Sequence, residues 1–232
     1  MMRRIRVYIA FFAFAACAIV SGALAPISSA QAKPVKQTAS AAPSATITFR
    51  KVFKASYPEF SEIKVSEDGA GTWDIRQLDE TPNPHPLSIG QALTRKIFEL
   101  ASDLHNFQGI DIDVHRRIAN LGQKSFRYDK GAESYGVKFN YTLNSSANQL
   151  IAIFEGLERE ELDLSDMERT MRYDHLGAND VMLRVQSDVK NKLLPEPEAL
   201  LPLLEQVGSD EDLIEIARQR ARAIAEQIRA SQ

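Results

Sequence analysis

The chain has 232 residues, 44% of them hydrophobic and 25% charged, and a formal net charge of −3. That is enough apolar material for one sizeable core, which excludes an intrinsically disordered chain, and an acidic balance has the wrong sign for a nucleic-acid binder. A lone cysteine, Cys17, excludes an internal disulfide framework.

At the amino end, Arg3, Arg4 and Arg6 precede the apolar run "VYIAFFAFAACAIV", and Ala30, Gln31 and Ala32 put small residues where a signal peptidase cuts. We expect a secretory signal peptide over residues 1–32 and an exported protein, periplasmic or extracellular. The rival reading keeps the leader, because the run from Val7 to Ala25 falls within the roughly 17–25 apolar residues that span a bilayer. An uncleaved leader would anchor the protein, and that is the one membrane role expected. "FAAC", Phe14 to Cys17, faintly resembles the lipobox of bacterial lipoproteins, but Phe14 replaces its aliphatic residue and an apolar run follows the cysteine. Cleavage removes Cys17, and with it thiol proteolysis, thioredoxin-like exchange and zinc-cysteine modules. It also removes three arginines and no acid, lowering the formal charge from −3 by three to −6.

Residues 33–45, "KPVKQTASAAPSA", carry no apolar period and read as a flexible linker. A single α+β domain is expected over 46–232, with a helical part from about 146 to the end. Its first strand alternates Ile47, Phe49 and Phe53. "FSEIKVSEDGAGTWDIRQL" then gives a hairpin around "EDGAG", with Ile63 and Val65 facing Trp73 and Ile75. Trp73 is expected to be core. Three prolines in "DETPNPHP" interrupt regular structure. Ser88 with Gln91 predicts a capping box opening a helix with Ile89, Leu93, Ile97, Leu100 and Leu104 on one face, stopped by Gly109.

A second hairpin pairs "KSFRY" with "YGVKFNYT", where Tyr135, Val137, Phe139 and Tyr141 alternate. Further capping boxes are expected at Ser146 with Gln149, Ser165 with Glu168, and Ser209 with Asp212, with Gly177 and Gly208 at helix ends. Apolar faces run through Ala147, Leu150, Ile151, Phe154 and Leu157, and through Val181, Val185 and Val189. "PEPEALLPLLEQVG" is kinked at Pro202 or becomes regular there, and the last helix is placed over Asp210 to Ala230. The expected architecture is an antiparallel four- to five-stranded sheet, two hairpins plus an N-terminal strand, packed with helices and followed by a C-terminal helical bundle.

Between the two hairpins, "GIDIDVHRRIANLG" sets Asp111, Asp113 and His115 at every second position. On a strand they would share a face as metal ligands. On a helix, residues two apart differ by roughly 200° and point away from one another. The helix is preferred: Asp111 suits an N-cap, Val114, Ile118 and Leu121 make an apolar face, and Gly122 supplies the stop. Asp111 and His115 could still pair one turn apart, joined by His105. No metal site and no other cofactor is therefore expected.

Ser61 with Lys64 and Ser187 with Lys190 match S-x-x-K, yet neither serine opens a helix and the companion motifs of that chemistry are missing. No nucleophile elbow, P-loop, H-E-x-x-H or dinucleotide fingerprint occurs. From Glu155 to Glu168 stand seven acids against the single base Arg159, whereas Arg116, Arg117, Lys124, Arg127, Lys130 and Lys138 enrich the segment before it in positive charge. Solvated faces are the default reading of both runs, and salt-sensitive docking through opposed patches is the sharper one. No catalytic residue is assigned. The function expected is a non-catalytic binding or structural domain of the cell envelope or exterior, with a protein or glycan partner and no nucleic acid. The alternative is a secreted hydrolase built on dispersed carboxylates, which leave little sequence signature.

Overall fold

The computed structural model describes residues 44–117 and 119–231. The leader over 1–32, Cys17, most of the linker, and Ile118 lie outside the described residues. Among those described, no helix is long and apolar enough to cross a membrane.

The fold is α+β. Strands β1 (Thr46–Val52), β2 (Phe60–Ser66) and β3 (Ala70–Arg76) are followed by a short β4 (His85–Ser88) and, after helix α1 (Gln91–Asp103), by β5 (Gln123–Lys130) and β6 (Glu133–Phe139). They form one antiparallel sheet in the order β4-β3-β2-β1-β5-β6. Both hairpins stand as the alternation requires, and Ile63 pairs with Trp73, although Val65 faces Gly71 and Ile75 faces Ser61. The sixth strand is β4. Its Pro86 is tolerated because β4 is an edge strand, where a missing N–H breaks no second ladder.

One sheet face carries Ile47, Phe49, Ile63, Val65, Phe126 and Phe139, all buried. Phe126 is the centre of this core, with ring centroids at 5.4 Å from Phe49, 5.2 Å from Phe107 and 5.4 Å from Phe139. Helix α1 covers it with Ile97, Leu100 and Ala101, and the first half of helix α2 (Ser145–Tyr173) covers it with Leu150, Phe154 and Leu157. A second core joins the far half of α2 to α3 (Ala178–Lys190), α4 (Leu201–Ser209) and α5 (Glu215–Ala230), through Met167, Met182, Leu204 and Ile224 among others. A short 3-10 turn, Pro197–Leu200, precedes α4, so regular helix begins just before Pro202.

None of the four expected capping boxes forms. Ser88 ends β4, and the helix opens at Gln91 behind Gly90, whose N–H is taken by the remote Glu196 carboxylate at 2.8 and 3.0 Å. Asn144, not Ser146, caps α2 by accepting the Ala147 N–H at 3.0 Å. Ser165 lies inside α2, which runs unbroken for 29 residues. Ser209 donates back to the Glu205 and Gln206 carbonyls, and α5 begins only at Glu215. Gly177 precedes α3 rather than ending α2.

The helix expected after Gly109 is also absent among the described residues, which run on to β5 as a loop. Polar side chains there outcompete the helical ladder. Asp111 accepts the Asp113 N–H at 3.1 Å, Asp113 accepts the N–H groups of Asn140 and Tyr141 at 3.3 Å each, and Asn120 accepts that of Gly122 at 3.0 Å. His115 sits at φ +52°, outside any right-handed helix.

Candidate functional site

Because side chains alternate, the sheet has a second face, which the helices leave uncovered. Across its middle the pairings set Lys64, Thr48, Arg127 and Gly136 in one row, and Glu62, Arg50, Ser125 and Lys138 in the next. Long charged side chains alternate with short or absent ones at Thr48, Ser125 and Gly136. The result is a trough of about 560 Å³. Gly136 keeps its floor low: a Cβ there would come within 3.1 Å of the Phe126 carbonyl oxygen.

Charge in the trough is organised. Glu62 takes Arg50 Nε at 2.7 Å and Lys64 Nζ at 3.3 Å, while Asp129 takes Arg127 Nε at 2.9 Å. Two acids thus serve three cations, and Lys138 adds a fourth without a carboxylate partner among the described residues. A patch of net positive charge therefore lies on a chain whose overall charge is negative. Exposed pairs such as these hold their geometry weakly, so an incoming anion can exchange for them at little cost.

The acidic run is a solvated face only in part. Glu158, Glu160 and Asp163 are buried, and each ties α2 to a different neighbour. Glu158 accepts the Ser61 hydroxyl at 2.9 Å and pairs with Lys51 at 2.7 Å, joining helix to sheet. Glu160 accepts the Glu196 N–H at 2.6 Å. Asp163 accepts Arg184 Nε at 2.9 Å from α3, and Arg184 reaches Asp166 at 2.8 Å. Burial pushes the Glu160 carboxyl up to about 8 against the opposing Glu196 N–H, and it carries Asp163 to about 6 despite Arg184. Three of the seven acids thus face inward, and Glu155, Glu161, Asp166 and Glu168 keep part of their surface in solvent. The signal was present in the spacing: Glu158 follows buried Phe154 by four, and Asp163 precedes buried Met167 by four.

The expected basic segment divides. Arg127 and Lys138 point into the trough, joined by Arg50 and Lys64, which composition alone did not single out. Lys124 instead turns inward and is buried, its ammonium pKa lowered by that burial. Arg116 and Arg117 are exposed on the loop, and Lys130 lies at 3.8 Å from Glu67. Ser61 and Lys64, three apart on a strand, project from opposite faces and cannot cooperate.

Asp111, Asp113 and His115 come together after all, though on a loop. His115 Nε2 lies 2.7 Å from Asp111 and its Nδ1 3.4 Å from Asp113. The imidazole stands between the carboxylates instead of converging with them, and no group of three such residues able to hold a metal is found among the described residues. The Asp111 hydrogen bond holds His115 above the usual histidine value of 6.5 and Asp111 below its own. An NMR titration should find His115 raised in this direction, and Asp111→Asn should return it toward 6.5. His105 lies exposed in the 3-10 turn after α1.

No protein-family model matches the chain, and a search of curated proteins finds no match.

Proposed function

We propose that the chain is an exported binding domain that uses the open face of its sheet to hold an acidic segment of a partner protein. The observation that carries this reading is the trough itself: four cations against two acids, with a floor of short side chains, on an otherwise acidic chain. Charge of opposite sign steers such a partner and sets its register. The four strands β2, β1, β5 and β6 span roughly 14 Å at about 4.8 Å per step, room for about four residues of extended peptide. Among the described residues no tyrosine or tryptophan lines the trough, and the Phe60 ring beside it lies under the Arg50 and Arg76 guanidinium groups, which favours peptide over glycan. Export rests on the charged, apolar and small-residue pattern of residues 1–32.

The hydrolase reading finds less support. Of the acids with raised pKa values, Glu160 is committed to the Glu196 N–H and only Glu161 borders a cleft. The second acid there, Glu168, is two helical turns away, about 10.5 Å along the same wall, and it pairs with Arg172 at 3.6 Å. A glycosidase needs its two carboxyl groups on opposite sides of the bond.

The test is fluorescence anisotropy with labelled hexaglutamate. Saturable binding should weaken several-fold between low and physiological salt, and Lys64→Glu with Lys138→Glu should abolish it. Binding indifferent to both changes would refute the reading, and displacement by an oligouronate alone would assign the trough to acidic glycans.

A further inference from the structure

On the covered side of the sheet, near its β4 edge, a cleft of about 370 Å³ opens between strands and helix. One wall is aromatic. Trp73 of β3 and His85 of β4 stand opposite each other in the ladder, and their rings stack at 4.5 Å with an interplanar angle of 21°. His85 is fixed from its other side by Asn83, whose amide nitrogen lies 3.0 Å from Nε2. The facing wall belongs to α2, which contributes Glu161, Leu164, Ser165 and Glu168.

Glu161 is the unusual member. It is half-buried and has neither a hydrogen bond nor a cation partner among the described residues, unlike its neighbours Glu158, Glu160 and Asp163. Burial alone acts on it, and carries its carboxyl to about 7. A carboxyl group kept partly out of water, in one cleft with a stacked pair of aromatic rings, offers both attractions that an organic cation uses. Ion pairing strengthens as the local dielectric falls, and an aromatic face adds cation–π attraction. The Ser165 hydroxyl, one turn along the same wall, is an additional acceptor for an N–H donor. Leu164 and Leu203 supply apolar surface for an aliphatic stem.

We propose that this cleft is a second binding site, selective for a guanidinium or primary ammonium group carried on an aliphatic stem. It is independent of the trough, because Trp73 projects from the opposite sheet face to the rows that line the trough. The charge it selects is also the opposite one.

Trp73 is the only tryptophan in the chain, so its emission reports on the cleft directly. Agmatine should change that emission saturably, with a dissociation constant on the order of millimolar for so small a ligand. Butylurea, neutral and of similar shape, should not. Glu161→Gln keeps the shape of the protonated acid and should weaken agmatine about tenfold through loss of the charge-assisted bond, with unchanged far-ultraviolet circular dichroism. A short peptide holding one arginine between glycines separates the two sources: binding as tight as agmatine identifies a partner's side chain, and binding by agmatine alone identifies a free amine. No saturable change, equal binding of butylurea, or an undiminished Glu161→Gln response would each overturn the proposal.

Discussion

Replacing Glu160 with glutamine is expected to stabilise the protein by on the order of 3–4 kcal/mol at alkaline pH and to make its loss of stability with rising pH shallower. Glu160 is 3% exposed and its carboxyl is pushed from 4.5 to about 8, chiefly by burial. The folded state therefore holds a proton that the unfolded state has released. Where that is so, the unfolded chain binds fewer protons than the native one, and stability falls as pH rises. The contribution is fully present below about 4.5 and is lost as pH climbs through about 8. In Glu160→Gln the new amide oxygen can still accept the Glu196 N–H, so the link from α2 to the segment before α4 survives without the titration. Urea unfolding at pH 5 and pH 8.5 checks this: the variant should lose roughly half as much stability as the wild type, the remaining fall tracing to Glu161 and Asp163, whose buried carboxyls are raised to about 7 and about 6. The same steep fall in both proteins would show that Glu160 is not the group responsible.

The second large effect is expected at Arg184. Asp163 is fully buried, its Oδ1 held by Arg184 and its Oδ2 without a partner. Arg184→Met keeps the aliphatic stem but strands the carboxylate, a change that costs on the order of 1–3 kcal/mol, because Asp163 is fully buried while the Arg184 side chain is 43% exposed. The loss should shrink toward pH 5, because Asp163 already takes up its proton at about 6 with Arg184 present and does so more readily without it. Adding Asp163→Asn to Arg184→Met should recover most of the stability, since the stranded charge is then gone. By comparison, Arg172→Ala removes only an exposed pair with Glu168 and should change stability by less than about 0.5 kcal/mol.

Both effects arise in a run whose composition reads as solvated surface. Alternation made the sheet legible: Ile47, Phe49, Ile63, Val137 and Phe139 all face the core as period two demands. The apolar faces of α1, α2 and α3 were legible for the same reason at period 3.6. The helix starts were not. A serine three residues before an acid or amide matches a capping box by pattern, yet a cap also needs the chain to turn there, and Glu196 and Asn144 fill that role instead. The stretch from Asp111 to Asn120 has helical apolar spacing, but its Asp and Asn side chains bond locally to backbone N–H groups and hold a loop. Nor could composition divide seven acids into those that face water and those that bracket α2 to its neighbours, because that depends on which face each presents once the sheet is in place. The trough was half visible in Arg127 and Lys138; Arg50 and Lys64 joined them only through strand pairing of distant segments.

The most direct measurement is an amide NMR titration of 15N-labelled protein, residues 33–232, with hexaglutamate. Shifts that saturate together and cluster on Thr48, Arg50, Lys64, Ser125, Arg127, Gly136 and Lys138, while α3 and α5 stay still, are the result expected of a domain that binds through its open sheet face. Shifts that gather on the helices, or no saturable shifts at all, would contradict it.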